Sequence, residues 1–198
     1  VGRDLIEGLG YVRRSPIILI LLVMTFVAAI FAMPYSNFMP VFAVDILEAG
    51  PTGLGWLLTM TGIGALAGSL GVASLANFKR KGLLLLISAI AFGAMLILFC
   101  FSHSFALSLL LLVGVGLGMA CYMTLSNALI QQNTTHEVRG RVMSIYMMTF
   151  GLMPLGAMPL GAIADRVGTP TTLSIAAAIA TTFIVLMAIL RPQLRHLE

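Results

Sequence analysis

The stretch Leu83–Phe101 reads LLLLISAIAFGAMLILFCF and carries no charge. As a helix, these 19 residues reach about 28 Å, the thickness of a bilayer's hydrocarbon core. Five more runs of similar length surround it: Ile17–Ala43, Leu54–Ala76, Phe105–Ile130, Val142–Ala164 and Pro170–Leu190. All 11 Lys and Arg and all 7 Asp and Glu fall outside the six runs. Apolar residues make up 60% of the 198 and charged residues only 9%, with a mean hydropathy of +1.06. That composition excludes a water-soluble globule and a disordered tail. The period-two alternation of a barrel strand is missing, and helices are the other way to satisfy every backbone group in lipid. The expected fold class is therefore an all-α membrane protein with six transmembrane helices.

The charges set the topology. Residues 1–16, the second and fourth connections and the tail hold Arg3, Arg13, Arg14, Lys79, Arg80, Lys81, Arg139, Arg141, Arg191 and Arg195. The opposite side holds Arg166 alone, beside Asp45, Glu48 and Asp165. Basic residues gather on the cytoplasmic side, so both termini are expected there. Three segments follow: an interfacial linker helix over 1–16, a six-helix bundle over 17–190, and a cytoplasmic tail over 191–198. Leu5, Ile6, Leu9 and Val12 suit the first of these to a headgroup boundary. Its charged start suggests a linker continuing from upstream sequence. Basic residues spread over four short segments do not make a nucleic-acid surface. His103, His136 and His196 are too scattered for a metal site, and no cofactor is expected. Gly68-Ser-Leu-Gly71 is not the serine turn of an intramembrane protease, and no run contains a histidine, so an enzyme is not expected.

Breakers punctuate the runs. Pro34 and Pro40 kink the first, Pro154 and Pro159 the fifth. Gly64 with Gly68, Gly114 with Gly118, and Ala157 with Gly161 have the small-xxx-small spacing of close helix contacts. Sliding the second half back by 88 positions lays Gly156 over Gly68 and Ala164 over Ala76. Three spans followed by three face opposite ways, as a 3+3 inverted repeat requires.

Longer motifs carry a family likeness. Gln131-Gln-Asn-Thr-Thr-His-Glu137-Val-Arg139-Gly140-Arg141-Val142 resembles the cytoplasmic loop after the tenth helix of major facilitator superfamily transporters. It is most similar to the branch of enterobactin and macrolide exporters. Leu155-Gly156 through Gly161-Ala-Ile-Ala-Asp165-Arg166-Val-Gly168 resembles that branch's eleventh helix and the loop after it. Pro40-Val-Phe-Ala-Val-Asp45-Ile-Leu47 with Gly53-Leu-Gly55 resembles its seventh helix running into the eighth. The resemblance covers the whole chain as helices seven to twelve of a twelve-helix transporter. In the family's signature loop, Asn77 stands where an acid belongs, followed by Lys79, Arg80 and Lys81.

The resemblance implies a secondary transporter in the inner membrane. Its activity would be proton-driven efflux of small amphipathic or drug-like molecules by alternating access. The implied partners are a small-molecule substrate, the lipid bilayer, and an N-terminal six-helix half or a second copy. A non-transporting six-helix scaffold, or a half-size transporter acting as a homodimer, stays open. Apart from tyrosine and cysteine, no ionisable residue lies at membrane depth. In the transporter reading, proton coupling then belongs to the other half. The resemblance lines the substrate cavity with the first, second, fourth and fifth spans. Their polar and plastic residues make Tyr35, Asn37, Tyr122 and Tyr146 the expected contacts. Met33, Met123, Met147 and Phe150 are the expected apolar walls. Glu137, Arg139, Gly140 and Arg141, with Asp165 and Arg166, form the expected gate and loop motif. Trp56 is expected to anchor at an interface.

Overall fold

The computed structural model describes residues 2–75 and 79–197, with side chains over 8–75, 79–195 and 197. Asn77 and the Ala76 end of the second run lie outside the described residues, as do the side chains of Arg3, Leu5, Ile6 and His196. Among the described residues, six helices are long and apolar enough to cross a membrane: Pro16–Ile46, Gly50–Ser74, Lys81–Cys100, Phe105–Gln132, Arg139–Val167 and Thr169–Leu190. These are spans 1 to 6, and the chain is an all-α membrane protein.

Most spans overrun their apolar runs. Asp45, Lys81, Arg139, Arg141, Asp165 and Arg166, expected in connections, sit on the end turns of helices. A helix satisfies its own backbone and needs no reason to stop at the hydrocarbon edge. Long charged side chains then reach back to water.

Helix α1 (Gly2–Arg14) precedes span 1 and ends in Arg13 and Arg14. Span 1 opens as α2 (Pro16–Val27), with Pro16 in its first turn, where a missing N–H is tolerated. Pro34 and Pro40 then do more than kink it. The helix widens to a π turn over Ala28–Ala32, tightens to a 3-10 segment over Met33–Phe38, passes through α3 (Met39–Val41) and widens again over Phe42–Ile46. Each proline starts a new segment, because it cannot donate the bond that would continue the old one.

Span 2 is α4 (Gly50–Ser74), span 3 is α5 (Lys81–Cys100) and span 4 is α6 (Phe105–Gln132). Span 5 breaks into α7 (Arg139–Gly151) and α8 (Met153–Val167), with Leu152 at the joint and Pro154 in the new first turn. Pro159 lies inside α8 without ending it. Gly168, with φ +90°, turns the chain into α9 (Thr169–Leu190), span 6. The tail folds back as a short 3-10 turn over Pro192–His196. There Arg195 donates to the Ala188 carbonyl at 3.0 and 3.2 Å, and the Gly82 N–H donates to the Leu197 carbonyl at 3.0 Å.

Packing follows the small residues. Helix α6 packs on α4 and α5, α5 on α9, and span 1 on α7, α8 and α9. A Cβ on Gly68 would lie 2.5 Å from the Leu117 carbonyl of α6, and one on Gly64 would collide with the Val113 carbonyl. Gly116 answers from α6, facing the Thr61 carbonyl. The Cys121 thiol donates to the Gly68 carbonyl at 3.3 Å across the same seam. Gly118 instead faces α5, where a Cβ would stand 2.8 Å from the Phe92 backbone nitrogen, and Gly114 faces the Met95 side chain. The Ala157–Gly161 expectation does not hold at Gly161, which has open space around it; Gly156 makes the contact, against the Ile30 backbone. Two apolar cores stack along the bundle. One lies toward the basic end (Ile18, Met24, Leu85, Leu129 and Val142), the other toward the far end (Phe42, Leu57, Phe99 and Leu112). Spans 2 and 5 bury only 17% and 22% of their apolar windows, against 50% for spans 1 and 3. Most of their surface therefore faces outward from this bundle.

Candidate functional site

The C-terminal part of α6 and the middle of α7 flank an open hollow of about 490 Å³. Met123, Thr124 and Asn127 line it from α6; Tyr146, Met147 and Phe150 line it from α7. The spacing is helical on both sides, so each set forms one face. Tyr146 and Phe150 meet edge to face, with centroids 5.2 Å apart, which braces that wall. Gln131 donates to the Asn127 side-chain oxygen one turn away, so the amide's NH2 is the end left to donate elsewhere. Met147 also borders a second hollow of about 520 Å³ with Gly140, Met143, Ser144 and Met148. The face is thus continuous along α7. It offers thioethers, aromatic edges, hydroxyls and an amide, and no charge. Such a surface suits an uncharged or amphipathic molecule.

Behind this face lies a buried polar cluster at membrane depth. Thr25 of α2 donates to the Leu21 carbonyl at 2.9 Å and shares a 3.0 Å hydrogen bond with Ser126 of α6. Tyr122 is 1% exposed, and its hydroxyl has no hydrogen-bond partner among the described residues. Thr25 and Tyr146 are its polar neighbours, and Ser126 is a polar neighbour of Tyr146. The cluster ties spans 1, 4 and 5 together directly beneath the hollow.

The structure therefore brings together four of the eight expected cavity residues: Met123, Tyr146, Met147 and Phe150. Tyr122 sits just behind them. Met33 is buried in the same apolar core as Tyr122 and Tyr146 without lining the hollow. Tyr35 is buried in the other core, where it packs edge to face on Phe92 at 6.1 Å and points its hydroxyl at the Met119 sulfur, 3.8 Å away. Asn37 is exposed on the 3-10 segment of span 1. Thr124, Asn127 and Thr25 join the site beyond the expected set. Helical register with Met123 is the signal for Thr124 and Asn127. Thr25 is the lone polar residue between Ile17 and Met33, and that isolation is its signal.

The loop motif is split between two ends of span 5. Glu137 is exposed. Arg139 is half-buried and donates to the Thr134 carbonyl at 3.4 Å, while Thr134 itself donates to the Ile130 carbonyl. Arg139 so ties the start of α7 to the end of α6. Gly140 borders the second hollow, and Arg141 lines a cleft against α1. Asp165 and Arg166 are exposed at the opposite end of the span. Trp56 is exposed in the second turn of α4.

Comparison with known proteins gives the family. The model of the Major Facilitator Superfamily matches residues 2–198. The chain is 28% identical over 196 residues to the multidrug efflux pump Tap of Mycolicibacterium fortuitum, an alignment covering 98% of this chain and 47% of that pump. The chain thus spans about half the length of the curated relative it matches. No solved structure matches it. With six apolar spans and a match along nearly its full length, the chain is a multi-pass membrane protein and belongs to the major facilitator superfamily.

Proposed function

We propose that the chain is the C-terminal six-helix half of a proton-driven exporter of small amphipathic or drug-like molecules, in the enterobactin and macrolide exporter-like branch. The observation that carries the reading is the hollow on α6 and α7, where Asn127 and Tyr146 stand among Met123, Met147 and Phe150. Its apolar walls with a few fixed polar groups are what a polyspecific carrier needs. The efflux activity in the name of the matched relative supports it. An N-terminal half supplies the facing wall of the cavity and the proton-coupling acid; a second copy would supply the wall without the acid, since this chain carries none at membrane depth. The inner membrane is the setting, with the basic end cytoplasmic.

Two features support alternating access by a 3+3 inverted repeat. Exchanging spans 1, 2 and 3 for 4, 5 and 6 turns the α4–α6 contact into the span 5–span 1 contact, and both exist. Each is closed by a glycine on a helix backbone: Gly68 on Leu117, Gly156 on Ile30. These glycines are 88 positions apart, the offset that relates the two halves of the sequence. The breaks in spans 1 and 5 supply places where helices bend without losing whole turns of hydrogen bonds.

The test uses the intact transporter in everted vesicles with a fluorescent amphipathic drug. Asn127→Ala and Tyr146→Phe are expected to lower kcat/KM by about two- to tenfold, the worth of one hydrogen bond. Normal membrane levels and unchanged uptake in an N127A/F150A double variant would overturn the assignment of the hollow.

A further inference from the structure

We infer that the crease between α1, α2 and α7 is a binding site for one anionic phospholipid. Two adjoining cavities of about 340 Å³ each make the site. The first is lined by Tyr11 and Arg14 of α1 with Val138 and Arg141 at the start of span 5. The second is almost wholly apolar and runs between Leu19, Leu22 and Phe26 of α2 and Ile145, Met148 and Leu152 of α7 and its joint. They adjoin along α1 and α7. On α7, Arg141 borders the upper cavity and Ile145, one turn on, borders the lower. On α1, Tyr11 faces the upper cavity and Val12 the lower.

The order of chemistry is that of a lipid. Arg14 stands just before span 1 and Arg141 in the first turn of span 5, so both guanidinium groups lie at headgroup level. From there, Leu19 to Phe26 and Ile145 to Leu152 each descend about seven residues, roughly 10 Å into the hydrocarbon. Basic pockets between membrane helices recognise anionic headgroups, and an apolar slot beneath accepts an acyl chain. A helix of another subunit, about 10 Å across, does not fit a crease between two helices already in contact. Gly8 keeps the site together: α1 lies so close to α7 that a methyl carbon there would meet Ile145 at 3.2 Å and Arg141 at 3.3 Å.

The experiment is native mass spectrometry of the full transporter chain, delipidated and titrated with phosphatidylglycerol or phosphatidylcholine of the same acyl chains. The wild type is expected to prefer phosphatidylglycerol about tenfold or more, and R14Q/R141Q to lose that preference while still binding both lipids weakly. Should the double variant fail to fold, R14Q alone, on an exposed side chain, is expected to lose about fivefold. Val23 of α2 also lines the slot, and Val23→Trp, which fills it and spares both arginines, is expected to weaken both lipids alike. Equal binding of the two lipids by the wild type overturns the proposal, as does undiminished preference in the arginine variants. Displacement of phosphatidylglycerol by equimolar inorganic phosphate also overturns it, since the cleft would then hold an anion without a chain.

Discussion

At Tyr122 a phenol hydroxyl is buried in lipid-depth core without a hydrogen-bond partner among the described residues. An unmet buried donor lowers stability by about 1 to 3 kcal/mol. Tyr122→Phe is therefore expected to leave the melting temperature unchanged or raise it. If the hydroxyl serves the substrate hollow next to it, the same variant loses transport; a stable variant with full transport makes it a packing residue alone. Glycines give the converse test. Gly64→Leu drives a side chain into the Val113 backbone, which cannot yield as a flexible side chain would. It is expected to abolish the monodisperse folded peak in size exclusion. Gly62→Ala, with open space around it, is expected to leave that peak in place. Two glycines on one helix, a single residue between them, thus differ because only one faces α6.

At the scale of the element, spans 1 and 5 stand apart from the other four. Their prolines do not merely bend a continuous helix. In span 1 the hydrogen-bond pattern changes from π to 3-10 to α and back to π between Ala28 and Ile46. In span 5, α7 stops at Gly151 and α8 restarts at Met153. Pro154 stands in the first turn of α8, where a missing N–H is tolerated, so Pro154→Ala is expected to change the stability of the bundle by less than about 1 kcal/mol. In the intact transporter it is expected to slow turnover while binding persists, if the joint moves during transport. Unchanged turnover would place the joint among static kinks.

For the whole molecule, the charge distribution makes a topological prediction. Single cysteines at Glu137 and Glu48, in a background freed of Cys100 and Cys121, are expected to label from opposite sides of the membrane with an impermeant thiol reagent. Glu137 is expected to react only when the reagent reaches the cytoplasmic side. Both residues are exposed, so access depends on the side and not on burial. Labelling of both from one side would overturn the six-span topology and, with it, the inverted repeat.

Six spans, their order and the class of fold were legible in the sequence because lipid imposes one local rule: about twenty apolar residues, backbone satisfied within the helix. Leu83–Phe101 meets that rule without reference to any neighbour. The basic clusters at Arg13–Arg14 and Lys79–Lys81 are equally legible, since charge placement is also a local property. Helix ends were less legible, because Arg139 and Asp165 remain helical beyond the apolar run. Which polar residues converge depends on helix rotation, and rotation is decided by packing against other helices. Apolar composition is nearly uniform around these spans, so the sequence holds little record of it. Tyr35 and Tyr146 look alike in the chain and both are buried; one turns onto Phe92 in the far core, the other sits in the core at the basic end and borders the hollow with Asn127. That choice rests on contacts such as Gly68 on Leu117 and Gly156 on Ile30, between residues far apart in the chain, and tertiary structure alone could decide it.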